Sequence, residues 1–118
     1  MSEHRTQQVA ELLKQELSQL LLRSADFPEG TLVTIVRVKV TPDIRQARVF
    51  LSIMPFARRF VILEKLKHQA YDLQHELMDK LVMKFVPKIS FFFDQSEEEA
   101  AKIEELIDEV VSRDQATQ

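Results

Sequence analysis

The stretch that most constrains the fold is residues 36–53, VRVKVTPDIRQARVFLSI. Apolar residues alternate with other residues in both halves, which is the pattern of strands buried on one side. In the first half Val36, Val38 and Val40 alternate with Arg37 and Lys39, so we expect these three valines on the buried side. Between the halves, Thr41-Pro42-Asp43 has turn composition, and Asp43 can cap the neighbouring backbone. A link this short predicts an antiparallel hairpin with one apolar face and one partly basic face.

The size and composition of the chain predict one globular domain. It has 118 residues, of which 45% are apolar and 30% are charged, so it can build a single core and is not a disordered chain. No apolar run reaches the roughly 18–20 residues that cross a bilayer, and the first residues lack the apolar segment of a signal peptide. The absence of cysteine excludes disulfides, thiolate metal sites and thiol nucleophiles. We therefore expect a cytoplasmic protein.

Helical periodicity flanks the hairpin on both sides. Residues 5–23 predict an amphipathic helix, and residues 58–84 predict either two helices or one bent helix. Residues 86–94 predict a third strand, and Pro87 near its start fits an edge strand. A helical crossover lets this strand run parallel to the second one. A capping box, Ser96 with Glu99, predicts a last helix. The order α-β-β-α-α-β-α corresponds to an α+β fold, a three-stranded mixed sheet covered by helices on one face.

Charge is distributed unevenly along the chain. Residues 96–118 contain two bases and eight acids, whereas residues 31–70 contain eight bases and two acids. We treat residues 1–95 as the candidate RNA-binding domain, with the acidic helix and tail of 96–118 part of the same single domain. The tail helix either docks through its apolar stripe, or its acids lie near the basic sheet face and weaken RNA binding.

The cationic middle of the chain indicates a polyanionic partner such as RNA. The alternative is an ordinary solvated surface. The candidate RNA-binding residues are Arg37, Lys39, Arg45, Arg48, Arg58, Arg59, Lys65, Lys67, Lys84 and Lys88. On the open sheet face we expect Arg37, Lys39, Arg48, Lys88 and Ser90, with Phe50 and Phe92 among them. The two phenylalanines are either platforms for base stacking or part of the core.

Signals for catalysis are weak. Glu64, His68, Asp72, His75 and Asp79 follow one helical face and include metal-ligand types. The alternative, a solvated face with i,i+4 pairing, is favoured because neither HExxH nor Glu-x-x-His is present. One glycine excludes a glycine-rich phosphate loop, and the serines lack a nucleophile-elbow context. The sequence predicts no enzyme, no metal site and no cofactor.

A family resemblance rests on the hairpin and the third strand. The hairpin is similar to the Val-x-Val-Ser-x-Asp-Leu-x-x-Ala-x-Val-Tyr-Val-Ser pattern of the bacterial ribosome-binding factor A family, with Thr41 for Ser and Phe50 for Tyr. FVPKISFFFD resembles that family's Val-Pro-x-Leu-x-Phe-x-x-Asp strand, and the likeness runs from about residue 5 to residue 107. It implies a type II KH-like fold in a cytoplasmic monomer without a cofactor.

The resemblance also implies a function. It implies binding to free 30S small ribosomal subunits, contact with the 5′-terminal region of 16S rRNA, and support of late subunit maturation and rRNA processing, often in the cold. The family joins its central helices at an Ala-x-Gly kink, where this chain has Gln69-Ala70-Tyr71. Tyrosine at positive φ costs about 1 kcal/mol or more, so the break is softer, shifted or absent. This favours contacts by Arg45, Arg48, Lys65, Lys67 and Lys88.

Two rival functions remain open at this point. One is a protein-interaction module of the same fold that makes no RNA contact. The other is a metal-dependent hydrolase that uses His68 and His75, and it predicts stoichiometric metal in the purified protein.

Overall fold

A computed structural model describes residues 2–24 and 27–94, and the predicted acidic helix and tail of residues 96–118 lie outside the described residues. Its elements, in chain order, are α1 (Ser2–Ser24), β1 (Leu32–Val40), β2 (Gln46–Met54), a 3-10 turn (Phe56–Arg58), α2 (Arg59–Lys80) and β3 (Lys88–Phe93). Neither α1 nor α2 combines the length and hydropathy that a membrane-spanning helix requires.

The three strands form one mixed sheet in the order β1-β2-β3. The hairpin strands β1 and β2 are antiparallel, and β3 runs parallel to β2 at the edge of the sheet. The parallel pairing follows from the connection, because α2 carries the chain back along the sheet before β3 begins. The predicted mixed α+β sheet with its antiparallel hairpin and parallel edge strand is confirmed.

Both helices cover the same face of the sheet. α1 packs mainly against β1 and α2 against β3. Burying these side chains is the main favourable term in folding, at about 25 cal/mol per Å² of apolar surface. The helices contribute Val9, Leu13, Leu17, Leu20, Leu21, Ile62, Leu66, Leu73 and Leu77 to the core, and the strands contribute Ile35, Val40, Ala47, Val49, Leu51, Ile53, Ile89 and Phe91.

A β-bulge at Val36 changes which residues of β1 face the core. Ile35 pairs with Leu51 and Arg37 with Phe50, so Val36 is an extra residue without a counterpart on β2. Side chains before the bulge face the core at odd positions and those after it at even positions, and Val36 itself is exposed. The expectation that Val36 is buried with the other valines is wrong for this reason. Arg37 and Lys39 nevertheless keep their predicted outward direction.

α2 is one uninterrupted α-helix through Gln69-Ala70-Tyr71. The sequence left open two helices or one bent helix, and the structure has a single α-helix preceded by a short 3-10 turn. The fold therefore departs here from the α-α order. The physical reason is the apolar stripe, which continues at helical spacing through the junction. Its members are Ile62, Leu66, Ala70, Leu73 and Leu77. Tyr71 lies on the exposed side, with its ring centroid 4.4 Å from that of His75.

The turn between β1 and β2 is fixed by hydrogen bonds around Asp43. Its Oδ1 accepts from Thr41 Oγ1 at 2.6 Å and from the backbone N–H of Arg45 at 3.1 Å. The Thr41 bond and then the Arg45 bond lower the pKa of the Asp43 carboxyl. Ile44 has a φ of 58°, which is unusual for a β-branched residue, and its side chain packs against the core. The predicted capping role of Asp43 is confirmed.

The start of β3 is fastened to α2 by one side chain. Gln74 Nε2 donates to the carbonyl oxygen of Pro87 at 3.0 Å, and Gln74 Oε1 accepts from the N–H of Ile89 at 2.9 Å. The amide thus substitutes for a strand neighbour at the edge of the sheet, where backbone groups otherwise lack partners.

Candidate nucleic-acid interface

The face of the sheet turned away from the helices carries two adjacent cross-strand rows. We name it the open face, formed by Arg37 and Lys39 of β1, Arg48 and Phe50 of β2, and Lys88, Ser90 and Phe92 of β3. Because side chains alternate along a strand, every one of them points opposite to the core residues. All are exposed except Phe50, which is half-buried. The predicted placement of these seven side chains on one face is confirmed.

The first row contains Arg37, Phe50 and Phe92 in cross-strand register. The Arg37 guanidinium carbon lies 4.3 Å from the Phe50 ring centroid. The rings of Phe50 and Phe92 are 5.9 Å apart and tilted by 32°. Arg37 Nη2 also lies 3.9 Å from Asp94 Oδ1, so part of its charge is balanced. The row is a continuous surface of one guanidinium and two aromatic rings.

The second row places two cations side by side. Lys39 is the direct cross-strand partner of Arg48, and Arg48 is the partner of Ser90 on β3. Among the side chains that the structure describes, those of residues 4–23 and 27–94, no carboxylate lies within ion-pair distance of Lys39, Arg48 or Lys88. Directly opposed like charges destabilise a sheet. The described carboxylates therefore leave this exposed pair of cations uncompensated.

A second group of candidates lies at the hairpin end of the molecule. An open groove there is lined by Arg5, Arg45, Lys84 and Phe85 together with the turn residues. The backbone N–H of Lys88 donates to the carbonyl oxygen of Arg45 at 2.9 Å, which joins the groove to the start of β3. Arg5 was not among the candidates, because it is distant in sequence from the cationic block.

Arg58 and Arg59 hold the chain together rather than extending the open face. Arg58 Nη1 donates to the carbonyl oxygen of Glu29 at 2.9 Å and to Thr31 Oγ1 at 2.7 Å. These bonds brace the loop around Gly30, whose φ of 81° favours glycine. Arg59 lies over the Phe56 ring at 4.0 Å and donates to the Phe56 carbonyl oxygen at 3.1 Å.

We expect Arg58→Ala to lower the free energy of unfolding by about 1–3 kcal/mol, because two hydrogen bonds from a charged, half-buried group are lost. Urea denaturation measures the change. Lys67→Ala removes an exposed cation of α2 and should stay within about 0.5 kcal/mol of the parent protein. If Arg58→Ala is as stable as the parent protein but binds RNA more weakly, Arg58 contacts RNA and does not stabilise the loop around Gly30.

Lys65 and Lys67 lie in the helix layer. They flank the buried Leu66 on α2, so the sheet separates them from the open face. The ten candidate cations therefore fall into three groups rather than forming one surface. The open face holds Arg37, Lys39, Arg48 and Lys88, the hairpin end holds Arg45 and Lys84, and the turn and helix after β2 hold Arg58, Arg59, Lys65 and Lys67.

The histidine-bearing face of α2 carries local pairs. His68 Nε2 lies 3.4 Å from Glu64 Oε1 one turn earlier, and His75 contacts the Tyr71 ring. In the part of the chain that the structure describes, no three His, Cys, Asp or Glu side chains are placed to hold a metal ion.

Two positioning residues were missed by the sequence reasoning. Asp94 directly follows β3 and lies 3.9 Å from Arg37, and its side chain is only 13% exposed. Gln74 clamps β3 from the helix. Gln74 could have been noticed in the sequence, because it is a polar residue next to the apolar stripe of α2. The role of Asp94 depends on cross-strand register, which periodicity does not give.

Comparison with known proteins identifies relatives that match most of the chain. The family model described as ribosome-binding factor A matches residues 5–107. The ribosome-binding factor A of Opitutus terrae is 38% identical over 108 residues, which cover 91% of this chain and 88% of the relative.

Two structures of relatives share the fold. The crystal structure of ribosome-binding factor A from Thermus thermophilus has a TM-score of 0.64 at 18% identity and covers 74% of this chain and 93% of its own. A Thermus thermophilus RbfA homology model, fitted into the cryo-EM map of a 30S–RbfA complex, has a TM-score of 0.62 at 18% identity and covers 73% and 91%. The chain belongs to the ribosome-binding factor A family.

Proposed function

We propose that this protein binds the free 30S ribosomal subunit through the open face, contacts the 5′-terminal region of 16S rRNA, and assists late maturation of the subunit and processing of that rRNA. It acts in the cytoplasm as a monomeric binding factor without catalysis or cofactor, and it supports growth in the cold. Family membership supports the ribosomal partner. A Thermus thermophilus relative with the same fold is described in a 30S complex.

The single observation that carries the assignment of the surface is the opposed pair of Lys39 and Arg48. The two cations repel one another across the strands and have no acid beside them in the described residues. Phosphates placed between them relieve the repulsion and release counterions from the RNA. Lys88 lies two residues before Ser90, which places it on the same face of β3, and it supplies a further phosphate contact.

The hairpin end and the helix layer have secondary roles in this proposal. Arg45 and Lys84 continue the contact around the edge of the sheet, next to Arg5 in the groove. Arg58, Arg59, Lys65 and Lys67 contact rRNA only if the subunit also surrounds the helix layer. The uninterrupted α2 supports this order of importance, because it presents no glycine loop to RNA.

Co-sedimentation with purified free 30S subunits over a range of salt tests the proposal. We expect the logarithm of the affinity to fall linearly with the logarithm of the salt concentration, with a slope of about −1 per phosphate contacted. Subunits of the 50S type serve as the control and should not retain the protein. A flat salt response with retained 30S binding would favour the protein-interaction module instead.

A further inference from the structure

The aromatic row of the open face has features that phosphate binding does not use. Phe92 is 43% exposed, although it lies on a strand whose alternate side chains are buried in the core. Its neighbour Phe50 is covered on one side by Arg37, at 4.3 Å from the ring centroid. An exposed aromatic ring and a stacked guanidinium both offer flat surfaces to a planar ligand.

The spacing of the row suits neighbouring nucleotide bases. The centroids of Phe50 and Phe92 lie 5.9 Å apart, and the rings are tilted by 32°. The Lys39–Arg48 row is the next outward-facing row along the strands. Bases that lie on the aromatic row therefore have their phosphates within reach of the two cations, because base and phosphate are joined by one sugar.

Charge and shape together distinguish between kinds of RNA. In a duplex the bases are stacked inside the helix, so the surface of a sheet meets mainly phosphates and sugars. Only an unpaired stretch can use the rings of Phe50 and Phe92. Because the face carries cations, an anionic partner fits it better than a neutral or cationic one.

We propose that the open face binds an unpaired stretch of RNA, with bases stacked on Phe92 and on the Arg37–Phe50 pair, and phosphates held by Lys39 and Arg48. This inference rests on the proposed function and specifies its ligand as single-stranded rRNA. Asp94 Oδ1 lies 3.9 Å from Arg37 Nη2, and its charge favours the position of the guanidinium over the Phe50 ring.

Fluorescence anisotropy of the full chain tests the inference, with a labelled single-stranded RNA of about ten nucleotides and a duplex of the same length as probes. We expect Phe92→Leu to weaken single-strand binding about five- to hundredfold, the range for loss of one stacked base. The same variant should leave duplex binding and the salt slope unchanged. Phe60→Leu is the matched control, because Phe60 is an exposed phenylalanine of α2.

Each other outcome overturns the stacking proposal in a distinct way. Equal affinities of the Phe92→Leu and Phe60→Leu variants for the single strand would exclude a platform. Weaker 30S binding with unchanged RNA binding would assign Phe92 to a protein partner. Tighter RNA binding would show that Phe92 holds another segment of this chain over the face. Lys39→Glu lowers affinity for both probes if the proposed function holds, so a failure of that function is recognised separately.

Discussion

Lys39→Glu is expected to stabilise the protein and weaken its binding to the small subunit at the same time. Glutamate at position 39 lies opposite Arg48 and replaces a repulsive cross-strand pair by an attractive one. Opposite-charge pairs in this position contribute about 0.2–1 kcal/mol. The stability gain is measured by urea denaturation, and the loss of binding is measured by co-sedimentation.

The double variant Lys39→Glu/Lys88→Glu should have the largest effect on binding. Two exposed cations become anions, and each reversal changes the interaction with an adjacent phosphate by about 2 kcal/mol at contact in water. We expect a loss of affinity for free 30S subunits of about a hundredfold or more, with a salt slope smaller in magnitude by about two.

The matched control makes the same chemical change on the helix layer. Lys67→Glu/Lys80→Glu also reverses two exposed lysines, and both belong to α2. We expect it to bind 30S subunits much more tightly than the open-face variant. Equal losses in the two variants would mean that net charge, rather than the open face, governs binding.

Tyr71→Pro should lower the free energy of unfolding by about 3 kcal/mol or more. Proline in a helix interior removes a backbone hydrogen bond and clashes with the preceding turn. The side chain itself is 72% exposed, so little of the loss comes from packing. Thermal or urea unfolding measures the change, and Val82→Pro, in the extended segment after α2, is the control.

The stability of Tyr71→Gly tests whether α2 is continuous at position 71, because a continuous helix and a kink predict changes of opposite sign. In an uninterrupted helix, replacing Tyr71 by glycine should lower the free energy of unfolding by about 0.5 kcal/mol, because tyrosine is only a moderate helix former. At a kink with positive φ, glycine would instead be the preferred residue. A more stable Tyr71→Gly variant would therefore contradict the continuous α2.

Periodicity predicted most of the fold. The alternation of apolar residues identifies the buried face of each strand, and an apolar stripe identifies the buried face of each helix. Periodicity failed at Val36. The apolar residues before it, Val33 and Ile35, are at odd positions, and those after it, Val38 and Val40, are at even positions. The sequence alone does not show where the pattern shifts, and only the pairing with β2 identifies Val36 as the bulged residue.

The candidate site was predictable where the cations lie on strands. A period of two places Arg37, Lys39 and Arg48 on one side once the core side is known. The roles of cations outside the strands were not predictable. Arg58 binds a carbonyl group 29 residues earlier in the chain, and the helix faces of Lys65 and Lys67 depend on how α2 packs.

The most direct test uses the absence of cysteine from the chain. Ser90→Cys introduces a single thiol on the open face, and His68→Cys introduces one on the exposed side of α2. Each is coupled to an iron chelate that cleaves nearby RNA, and the protein is bound to free 30S subunits. We predict strong, localised 16S rRNA cleavage from position 90 and little from position 68. Cleavage from position 68 alone would contradict the assignment of the open face as the rRNA-binding surface.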